Sequence, residues 1–421
     1  MKPLKEPGGR EVLTLADEEI ISRYNANSQM DHIPTDTIRA IIILWLKIIL
    51  GSLDAQECIL ELRDDEARVF LTAFQEFLDW MRDETKALSL LPEASLQDIR
   101  DLRRRAMRLL VNLTKSSKDF PPSLFFTVQG KLPRDISIPG NNANLYIVSH
   151  KVGDQVTTLV AKQLRTFLNC QADAAKVREE FYREAITWRQ VDHPRLLPFL
   201  GIWQYPSYPE DIPFLVAPYM EKGSSKGYVA NKDVTREIVN RLLVDTLEGL
   251  VYLHSLGIVH CDIAGKNVLV DDSSGEIRAL LCDFGISGVY SNPHSTMYNP
   301  PSELAGGTLR WMAPETQDAK LHARQQPSFK SDSYSFGSLA LELYSGMIPF
   351  EVEFPSVRDE ARISLEVVKG LRPAHPGAGM YGREMPPWLW SLIGECWKDD
   401  PAERPDATTL LERLRKETLL K

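Results

Sequence analysis

The sequence has few cysteines, and their placement excludes several classes of protein. The five cysteines of the 421-residue chain are scattered and include no C-x-x-C pair. A disulfide framework needs an even, closely spaced set, and a structural zinc site needs clustered ligands. The chain is therefore expected to be an intracellular protein rather than a secreted disulfide-rich domain.

A signal peptide, a long hydrophobic run and a surplus of basic residues are also missing. The amino terminus is charged and has no apolar core followed by a cleavage site. The formal charge of -9 argues against nucleic-acid binding, which needs a basic surface. The most apolar stretch, residues 40–50, is too short to span a bilayer and contains Lys47. A buried helix is expected there, with an interfacial membrane helix as the alternative, so a soluble, cytoplasmic chain without a transmembrane segment is expected.

Apolar residues at helical spacing predict amphipathic helices in the N-terminal third of the chain. The two stripes are Phe70, Phe74, Phe77 and Met81, and Ile99, Leu102, Ala106, Leu109 and Leu113. Ser95, three residues before Asp98, resembles a capping box at the start of the second helix. These patterns predict an all-α helical bundle over residues 16–117, after a flexible N-terminus at 1–15. The paired prolines Pro121 and Pro122 indicate a linker over 118–131.

Beyond the linker, strand patterns appear before helical patterns return. Two short β-rich runs come first, at residues 145–148 and 157–161. A helical pattern follows at 173–190, and then two apolar segments at 196–203 and 213–217. After about residue 235 helical patterns dominate, with short strands near 268–270 and 279–282. A small sheet-rich lobe with one helix thus leads into a larger helical lobe, and their junction is a natural ligand cleft.

Three short motifs in the C-terminal part follow one another in an order suited to phosphoryl transfer. They are His260-Cys-Asp-Ile-Ala-Gly-Lys-Asn267, Asp283-Phe-Gly285 and Ala313-Pro-Glu315. Such a transfer needs a cation on the phosphates, metal ligands, and a carboxylate that orients the attacking hydroxyl. Further segments agree in order, namely Trp311-Met312, Ser331-Asp-Ser-Tyr-Ser-Phe-Gly337, Cys396-Trp397 and Arg404-Pro405.

These motifs resemble the catalytic loop, the magnesium loop and the end of the activation segment of eukaryotic protein kinases. The tyrosine-kinase-like group, especially its fungal members, is the most similar, and the resemblance covers about residues 132–417. It implies an α+β, two-lobed protein kinase fold preceded by the helical bundle. The kinase domain would occupy 132–421, with a small lobe at 132–217 and a large lobe at 221–421.

The resemblance also implies a catalytic set and a metal-binding set. Asp262 matches the carboxylate that positions and deprotonates the substrate hydroxyl, and Lys266 matches a basic residue beside it. Lys162 matches the lysine that contacts the α- and β-phosphates of ATP, with Glu184 as its ion-pair partner. Asn267 and Asp283 match the oxygen ligands of Mg²⁺. The implied cofactors are therefore ATP and Mg²⁺, and the implied acceptor is a protein.

The adenine side of the nucleotide site is implied by the same resemblance. Its residues would be Gly140, Leu145, Val160, Lys162, Pro218, Met220 and Leu269. Pro218 lacks an amide hydrogen, but the position needs only its carbonyl, while Met220 would supply an amide donor. Ala217 would occupy the gatekeeper position and leave an open back pocket.

Two departures from the family pattern bear on activity. The glycine-rich loop keeps only Gly140, although glycines let backbone amides approach phosphate. Cys261 replaces the arginine that normally clamps a phosphorylated activation loop. The alternatives are therefore a nucleotide-binding pseudokinase and a signalling adaptor whose bundle, with a partner that the sequence does not identify, carries the function. Retention of the charged residues favours an active kinase.

The acceptor class rests on conflicting residues. Ala264 stands where serine/threonine kinases usually have lysine, and Lys266 resembles a basic residue of receptor tyrosine kinases. Thr308, five residues before Ala313, matches the threonine that braces the catalytic loop of serine/threonine kinases. A serine/threonine-protein kinase is the favoured hypothesis.

Overall fold

The structure is a computed structural model that describes most of the chain. The described residues are 35–91, 93–133, 135–139, 143–164, 174–205, 213–285, 288–289, 309–317, 327–356 and 359–419. They form two compact units, of which the first comprises the chain through Phe126 together with Ala175–Gln190. The second unit comprises Thr127–Ala174 and Val191–Lys421. The predicted flexible start at 1–15, Gly140 and Thr308 lie outside the described residues.

Five consecutive helices build most of the first unit. They are α1 (Thr35–Gly51), α2 (Leu53–Leu60), α3 (Asp64–Trp80), α4 (Glu84–Leu90) and α5 (Leu96–Ser117). Helix α5, the longest of them, contacts each of the other four. Its buried face repeats every three or four residues, so its neighbours pack around one continuous apolar stripe.

Both stripes predicted from the sequence are confirmed as core faces. Phe74 and Phe77 of α3 and Ile99 and Leu113 of α5 have no exposed surface. The predicted capping box is also confirmed at Ser95, whose hydroxyl accepts from the amide of residue 98 at 3.2 Å while the carboxylate of that residue accepts from the Ser95 amide at 2.8 Å. Both bonds satisfy amides that the first helical turn leaves without partners.

The most apolar stretch of the sequence is a buried helix, as expected. It lies in α1, where Ile43, Leu46, Ile49 and Leu50 face the interior of the first unit. Among the residues that the structure describes, no helix combines the length and the apolar character needed to cross a bilayer.

The segment expected to be a linker begins with packed residues. Helix α5 ends at Lys118, whose left-handed backbone has a φ of 60°. Phe120 and Leu124 are then buried in the first unit, and the Phe120 and Phe125 rings meet edge to face at 6.2 Å. Pro121 and Pro122 follow directly on Phe120 and do not prevent its side chain from packing. The predicted domain boundaries stay predictions.

The sixth helix of the first unit comes from later in the chain. This helix, α6 (Ala174–Gln190), coincides with the helical pattern predicted at 173–190. Eight of the ten residues from Phe181 to Gln190 are buried, so the helix has packing partners on most of its circumference.

The second unit contains an antiparallel sheet of five strands with the order β1-β2-β3-β5-β4. The strands are β1 (Ile138–Pro139), β2 (Ala143–Val152), β3 (Gln155–Leu164), β4 (Gly201–Gln204) and β5 (Pro213–Pro218). Lys162 lies opposite both Leu145 and Leu215, and Val160 lies opposite Ala217. Because directly opposite residues and alternate residues share a face, these five side chains lie on one side of the sheet.

Helices and short strand pairs form the rest of the second unit. The helices are α7 (Ser225–Tyr228), α8 (Arg236–Ser255), α9 (Pro314–Gln317), α10 (Phe329–Ser345), α11 (Glu360–Val368), α12 (Pro387–Cys396) and α13 (Ala407–Leu419). The strands are β6 (Ile258–Val259), β7 (Val268–Asp271), β8 (Arg278–Leu281) and β9 (Gly288–Val289), and β6 pairs with β9 and β7 with β8. The mixed α+β class predicted for this region is confirmed.

Helix α10 lies at the centre of this helical part. Every residue from Ser331 to Ser345 is buried, although the sequence contains seven serine, aspartate and glutamate side chains in that range. Buried polar groups must be hydrogen-bonded to be tolerated, so the partners of these side chains define what surrounds the helix.

We expect the first unit to depend on its aromatic core. Phe74→Ala should lower the free energy of unfolding by about 3–5 kcal/mol, because it leaves a cavity among buried side chains. Val69→Ala is a control on the same helix, since Val69 is half exposed, and it should change stability by no more than about 0.5 kcal/mol. Urea unfolding followed by circular dichroism measures both, and equal losses would contradict the assignment of this core.

Candidate active site

The loop between β6 and β7 carries a carboxylate with one oxygen paired and one free. Asp262 Oδ2 lies 3.2 Å from the ammonium nitrogen of Lys266. Asp262 Oδ1 is buried and has no hydrogen-bond partner in the described part of the chain. A buried acceptor without a donor is costly, so this oxygen can accept from a donor other than those of the described residues.

A histidine fixes the position of this carboxylate relative to the next motif. The Asp262 amide donates to His260 Nδ1 at 3.2 Å, and His260 Nε2 lies 3.1 Å from the carbonyl oxygen of Cys282. Since Nδ1 accepts, Nε2 must carry the hydrogen and donate to that carbonyl. The Phe284 ring lies 5.6 Å from the imidazole. His260 and Phe284 are therefore packing residues.

The backbone of the same loop is hydrogen-bonded to a carboxylate of α10. Asp332 has no exposed surface, and its two oxygens accept from the amides of His260 and Cys261 at 2.8 and 2.9 Å. His254 Nε2 is 2.8 Å from one of those oxygens. Hydrogen bonds to an ionised acceptor are shorter and stronger than neutral ones, so Asp332 holds the loop in one conformation.

The conformation held in this way is strained at Cys261. This residue has a φ of 70°, which is unfavourable for any side chain with a Cβ atom. Such strain costs about 1–3 kcal/mol and persists only where the surroundings impose it. The Cys261 amide bond to Asp332 is one such constraint. The strain therefore marks the loop as a functional segment.

A second carboxylate of α10 holds the far end of the loop. Glu342 accepts from the Gly265 amide at 2.8 Å and from the Trp311 indole at 2.9 Å through the same oxygen. A Cβ atom on Gly265 would lie 2.9 Å from that oxygen and 3.1 Å from a carbon of Lys226, so a larger residue would displace the Glu342 carboxylate. Burial raises the pKa of Glu342, and the Gly265 amide and Lys226 offset part of that rise.

The sheet contributes a cation that meets the Asp283-Phe-Gly285 motif. Lys162 of β3 lies 2.8 Å from Asp283 Oδ1. Burial alone would raise the pKa of Asp283, but the Lys162 ammonium lowers it to about 2, with smaller contributions from Lys266 and His260. The Asp283 carboxylate is therefore ionised at neutral pH, as a metal ligand must be.

Asn267 is oriented toward the same group of residues. Its side-chain nitrogen donates to the carbonyl oxygen of Asp262 at 2.8 Å, and the residue is buried. Because the amide nitrogen is used, the oxygen is the atom that Asn267 would offer to a cation. Among the described residues, no group of three or more His, Cys, Asp and Glu side chains could hold a metal. A metal bound by Asn267 and Asp283 would need further ligands from a phosphate substrate.

The predicted adenine-binding residues lie on the elements that surround this site. Leu145, Val160, Pro218, Met220 and Leu269 are all partly exposed. In the described part of the chain the Met220 amide has no hydrogen-bond partner, which leaves it available as a donor. Sheet register places Ala217 opposite Val160, on the same face as the lysine of β3, and its methyl group is buried.

Glu184, the predicted partner of Lys162, lies on α6 in the first unit. It is 1% exposed, whereas the side chain of Glu179 on the same helix is about half exposed and lies 3.6 Å from the ammonium nitrogen of Lys115. Glu184 is thus the buried acidic residue that the sequence favoured. Its pairing with Lys162 stays a prediction.

The end of the activation segment is attached to the helical part by a buried ion pair. Both carboxylate oxygens of Glu315 accept from the Arg404 guanidinium, at 2.6 and 2.8 Å. Arg404 also donates to the carbonyl oxygens of Lys330 and Lys398 and lies over the Tyr334 ring. A buried pair is tolerated only with such additional bonds, so this arrangement fixes the segment rigidly.

Three residues of this assembly had no predicted role. Asp332 and Arg404 belong to motifs that the sequence displays, and Glu342 follows ten residues after Asp332 on α10. The signal that could have indicated a role is an acidic residue in a helix that is buried on every side. Such a carboxylate needs hydrogen-bond donors, so it must hold a neighbouring segment. The periodicity of α10 does not show that its whole circumference is covered.

The fold and the site define a nucleotide-dependent phosphotransferase cleft, with a sheet lysine facing an aspartate and an aspartate–asparagine loop beside it. The protein kinase domain family model matches residues 144–414, and the chain belongs to this family.

Relatives from plants and a slime mould carry kinase names. The chain is 29% identical to serine/threonine/tyrosine-protein kinase HT1 of Arabidopsis thaliana, over 61% of this chain and 60% of the relative. It is 28% identical to serine/threonine-protein kinase STY46 of the same plant, over 57% and 37%, respectively. It is 27% identical to dual specificity protein kinase zakA of Dictyostelium discoideum, over 58% and 30%. The chain thus spans less than two thirds of the length of each of these relatives.

We expect the Asp283 titration to depend on Lys162. In Lys162→Ala the pKa of Asp283 should rise from about 2 to above its ordinary value of 3.8, because burial remains and the cation is gone. The stability that the pair provides is full above pH 3.8 and is lost as the pH falls through about 2. Carboxyl carbon NMR against pH measures the shift, with Asp271, held by Arg278, as an unchanged internal control. An unmoved Asp283 would show that the cation does not set its pKa.

Proposed function

We propose that this chain transfers the γ-phosphoryl group of ATP to a hydroxyl group of a protein, as a protein kinase in intracellular signalling. The observation that carries this proposal is the buried Asp262 carboxylate, with one oxygen beside Lys266 and the other without a hydrogen-bond partner among the described residues. The names of its relatives and its membership of the family support the same activity. The free cysteines Cys282 and Cys396, both buried as thiols, support an intracellular location.

The reaction assigns a separate task to each oxygen of Asp262. Oδ1 would accept a hydrogen bond from the acceptor hydroxyl and take its proton as the hydroxyl oxygen attacks the γ-phosphorus. A new oxygen–phosphorus bond forms, the bond between the γ-phosphorus and the bridging oxygen breaks, and ADP carries away that electron pair. Lys266 holds Oδ2 and so fixes the rotation of the carboxylate.

The remaining charged residues would bind the nucleotide. Lys162 would exchange part of its contact with Asp283 for the α- and β-phosphates. Asn267 and Asp283 fit Mg²⁺, because two oxygen ligands plus phosphate oxygens are a usual coordination for this ion. When bound, the metal neutralises charge on the phosphates. Leu145, Val160 and Leu269 would enclose the adenine, with Pro218 and Met220 as its hydrogen-bonding partners.

A pseudokinase scaffold is the main alternative. Its support was the poor glycine-rich loop, of which residues 140–142 lie outside the described residues. Against it stand the Lys162–Asp283 pair, the Lys266–Asp262 pair and the hydrogen bond that orients Asn267. A scaffold would not require a strained catalytic loop fixed by two buried carboxylates.

Serine and threonine are the proposed acceptors. The relatives HT1 and STY46 are both named for serine/threonine phosphorylation, although the first name includes tyrosine and zakA is named for dual specificity. Thr308 favours serine and threonine, whereas Ala264 and Lys266 do not.

The Asp262→Asn variant tests the proposed base. We expect turnover to fall by about 10²–10⁴-fold, since the amide cannot take the proton, while ATP binding is nearly unchanged. Labelled ATP measures the transfer, and magnesium-dependent thermal stabilisation by ATP measures binding. Asp283→Ala is the opposite control and should lose that stabilisation. A wild-type protein that binds ATP but labels no protein would favour the pseudokinase, and an Asp262→Asn variant as fast as wild type would exclude this base.

A degenerate peptide library tests the acceptor class. The purified full chain should label peptides with serine or threonine at the central position in preference to peptides with tyrosine. Phosphoamino-acid analysis of the products gives the ratio directly, and the Asp262→Asn variant serves as the blank. Predominant phosphotyrosine would show that Ala264 and Lys266 outweigh Thr308.

A further inference from the structure

Helix α6 lies within the segment matched by the kinase family model, yet it belongs to the same compact unit as the N-terminal helices. This helix carries Glu184, the predicted partner of the phosphate-binding lysine. The helices α1–α5 and the residues that follow them through Phe126, called here the bundle, form the rest of the unit that holds this helix.

The C-terminal end of α6 is attached to α3 and the turn that follows α3. Gln190 donates to Gln75 at 2.9 Å, and both side chains are buried. Arg189 donates to Asp79 at 2.9 Å. Arg82 bonds the same aspartate and also donates to the carbonyl oxygen of Arg189 at 3.0 Å. The last carbonyls of a helix have no internal partners, so Arg82 acts as a cap at the negative end of the helix dipole.

The N-terminal half of α6 is attached to the end of α5 and the residues after it. The Phe120 ring lies 5.8 Å from the Phe181 ring and 4.8 Å from the Tyr182 ring. The Tyr182 hydroxyl donates to the carbonyl oxygen of Lys118 at 3.4 Å. One turn earlier, Glu179 lies 3.6 Å from the ammonium nitrogen of Lys115.

The two attachments enclose Glu184 along the helix axis. Glu184 comes two residues after Tyr182 and five before Arg189, so it lies between the aromatic attachment and the charged one. A rigid helix fixed at both ends cannot slide or rotate independently of its support. The bundle thus determines where this carboxylate is held.

We propose that the bundle is a built-in support that positions α6, and that Asp79, Gln75 and Phe120 are positioning residues acting through Glu184. The proposal rests on the proposed kinase activity for its catalytic consequence. It gives the N-terminal helices a function that the family match does not cover. It also makes the bundle the place at which a binding partner could alter activity, because any movement of α3 or α5 is transmitted to α6.

The test compares two ion pairs of the same kind in the full-length chain. Arg189→Ala removes the attachment of α6 to Asp79, whereas Arg100→Ala removes a pair with Glu84 that lies within the bundle. A milder matched pair is Asp79→Asn and Glu84→Gln, which serves if the alanine variants do not fold. Arg189→Lys is the conservative variant, because its ammonium can still reach the carboxylate.

We expect Arg189→Ala to lower kcat/KM for ATP by about tenfold, mainly through KM, since Glu184 would no longer hold the lysine that contacts the phosphates. Arg189→Lys should recover most of that loss. In Arg100→Ala, kcat/KM for ATP should stay within about twofold of the wild-type value, even if this variant lowers the melting temperature as much as Arg189→Ala does. Likewise, Asp79→Asn should lower kcat/KM for ATP more than Glu84→Gln does.

Hydrogen exchange of the full-length chain separates this proposal from the proposed function. Amides of residues 181–190 should exchange faster in Arg189→Ala than in Arg100→Ala, whether or not the wild type transfers phosphate. If the wild type is inactive, the affinity for ATP replaces kcat/KM as the readout. Equal exchange in the two variants, or equal kinetics and ATP affinity, would overturn the proposal.

Discussion

The Asp332 carboxylate is the group on which the site depends. It lies in the interior without exposed surface and accepts from two consecutive backbone amides, those of His260 and Cys261, and it lies within hydrogen-bonding distance of His254. Removing it would leave buried donors unpaired and would release a backbone that is strained at φ 70°. Because Asp262 follows directly on this backbone, the position of the proposed catalytic base depends on a residue outside the predicted site.

Helix α10 carries further buried polar side chains that hold neighbouring segments. Ser335 donates to the carbonyl oxygen of Trp311 at 2.9 Å, and Glu342 accepts from the indole of the same residue and from Gly265. A helix buried on every side is usually apolar on its whole circumference. In α10 polar side chains occupy part of that surface, and they require well-aligned hydrogen bonds. The two ends of the catalytic loop are thus held by one rigid element, which keeps their separation constant.

The features that could be predicted from the sequence are those whose interacting residues lie close together along the chain. The capping box at Ser95 and the apolar face containing Phe74 were predicted and confirmed, because helical geometry fixes contacts at spacings of three and four. The placement of Asp262 beside Lys266 depends on a similarly short separation. The contacts of Asp332, which cross more than 70 residues of sequence, depend on tertiary packing that no local pattern encodes.

Helix α6 also has contacts with residues distant in the sequence, and local patterns did not predict them. A boundary between a bundle and a kinase domain follows from composition, yet the contact between Gln75 and Gln190 crosses 115 residues and joins the two regions. Amide-to-amide bonds between buried side chains have strict geometry, and the neighbouring Arg189 pair adds charge to the same contact. Helix α6 thus lies within the family match by sequence and packs with the N-terminal helices in the first unit. Substitutions in the bundle should therefore be read first through their effect on this helix, and only then as losses of an independent domain.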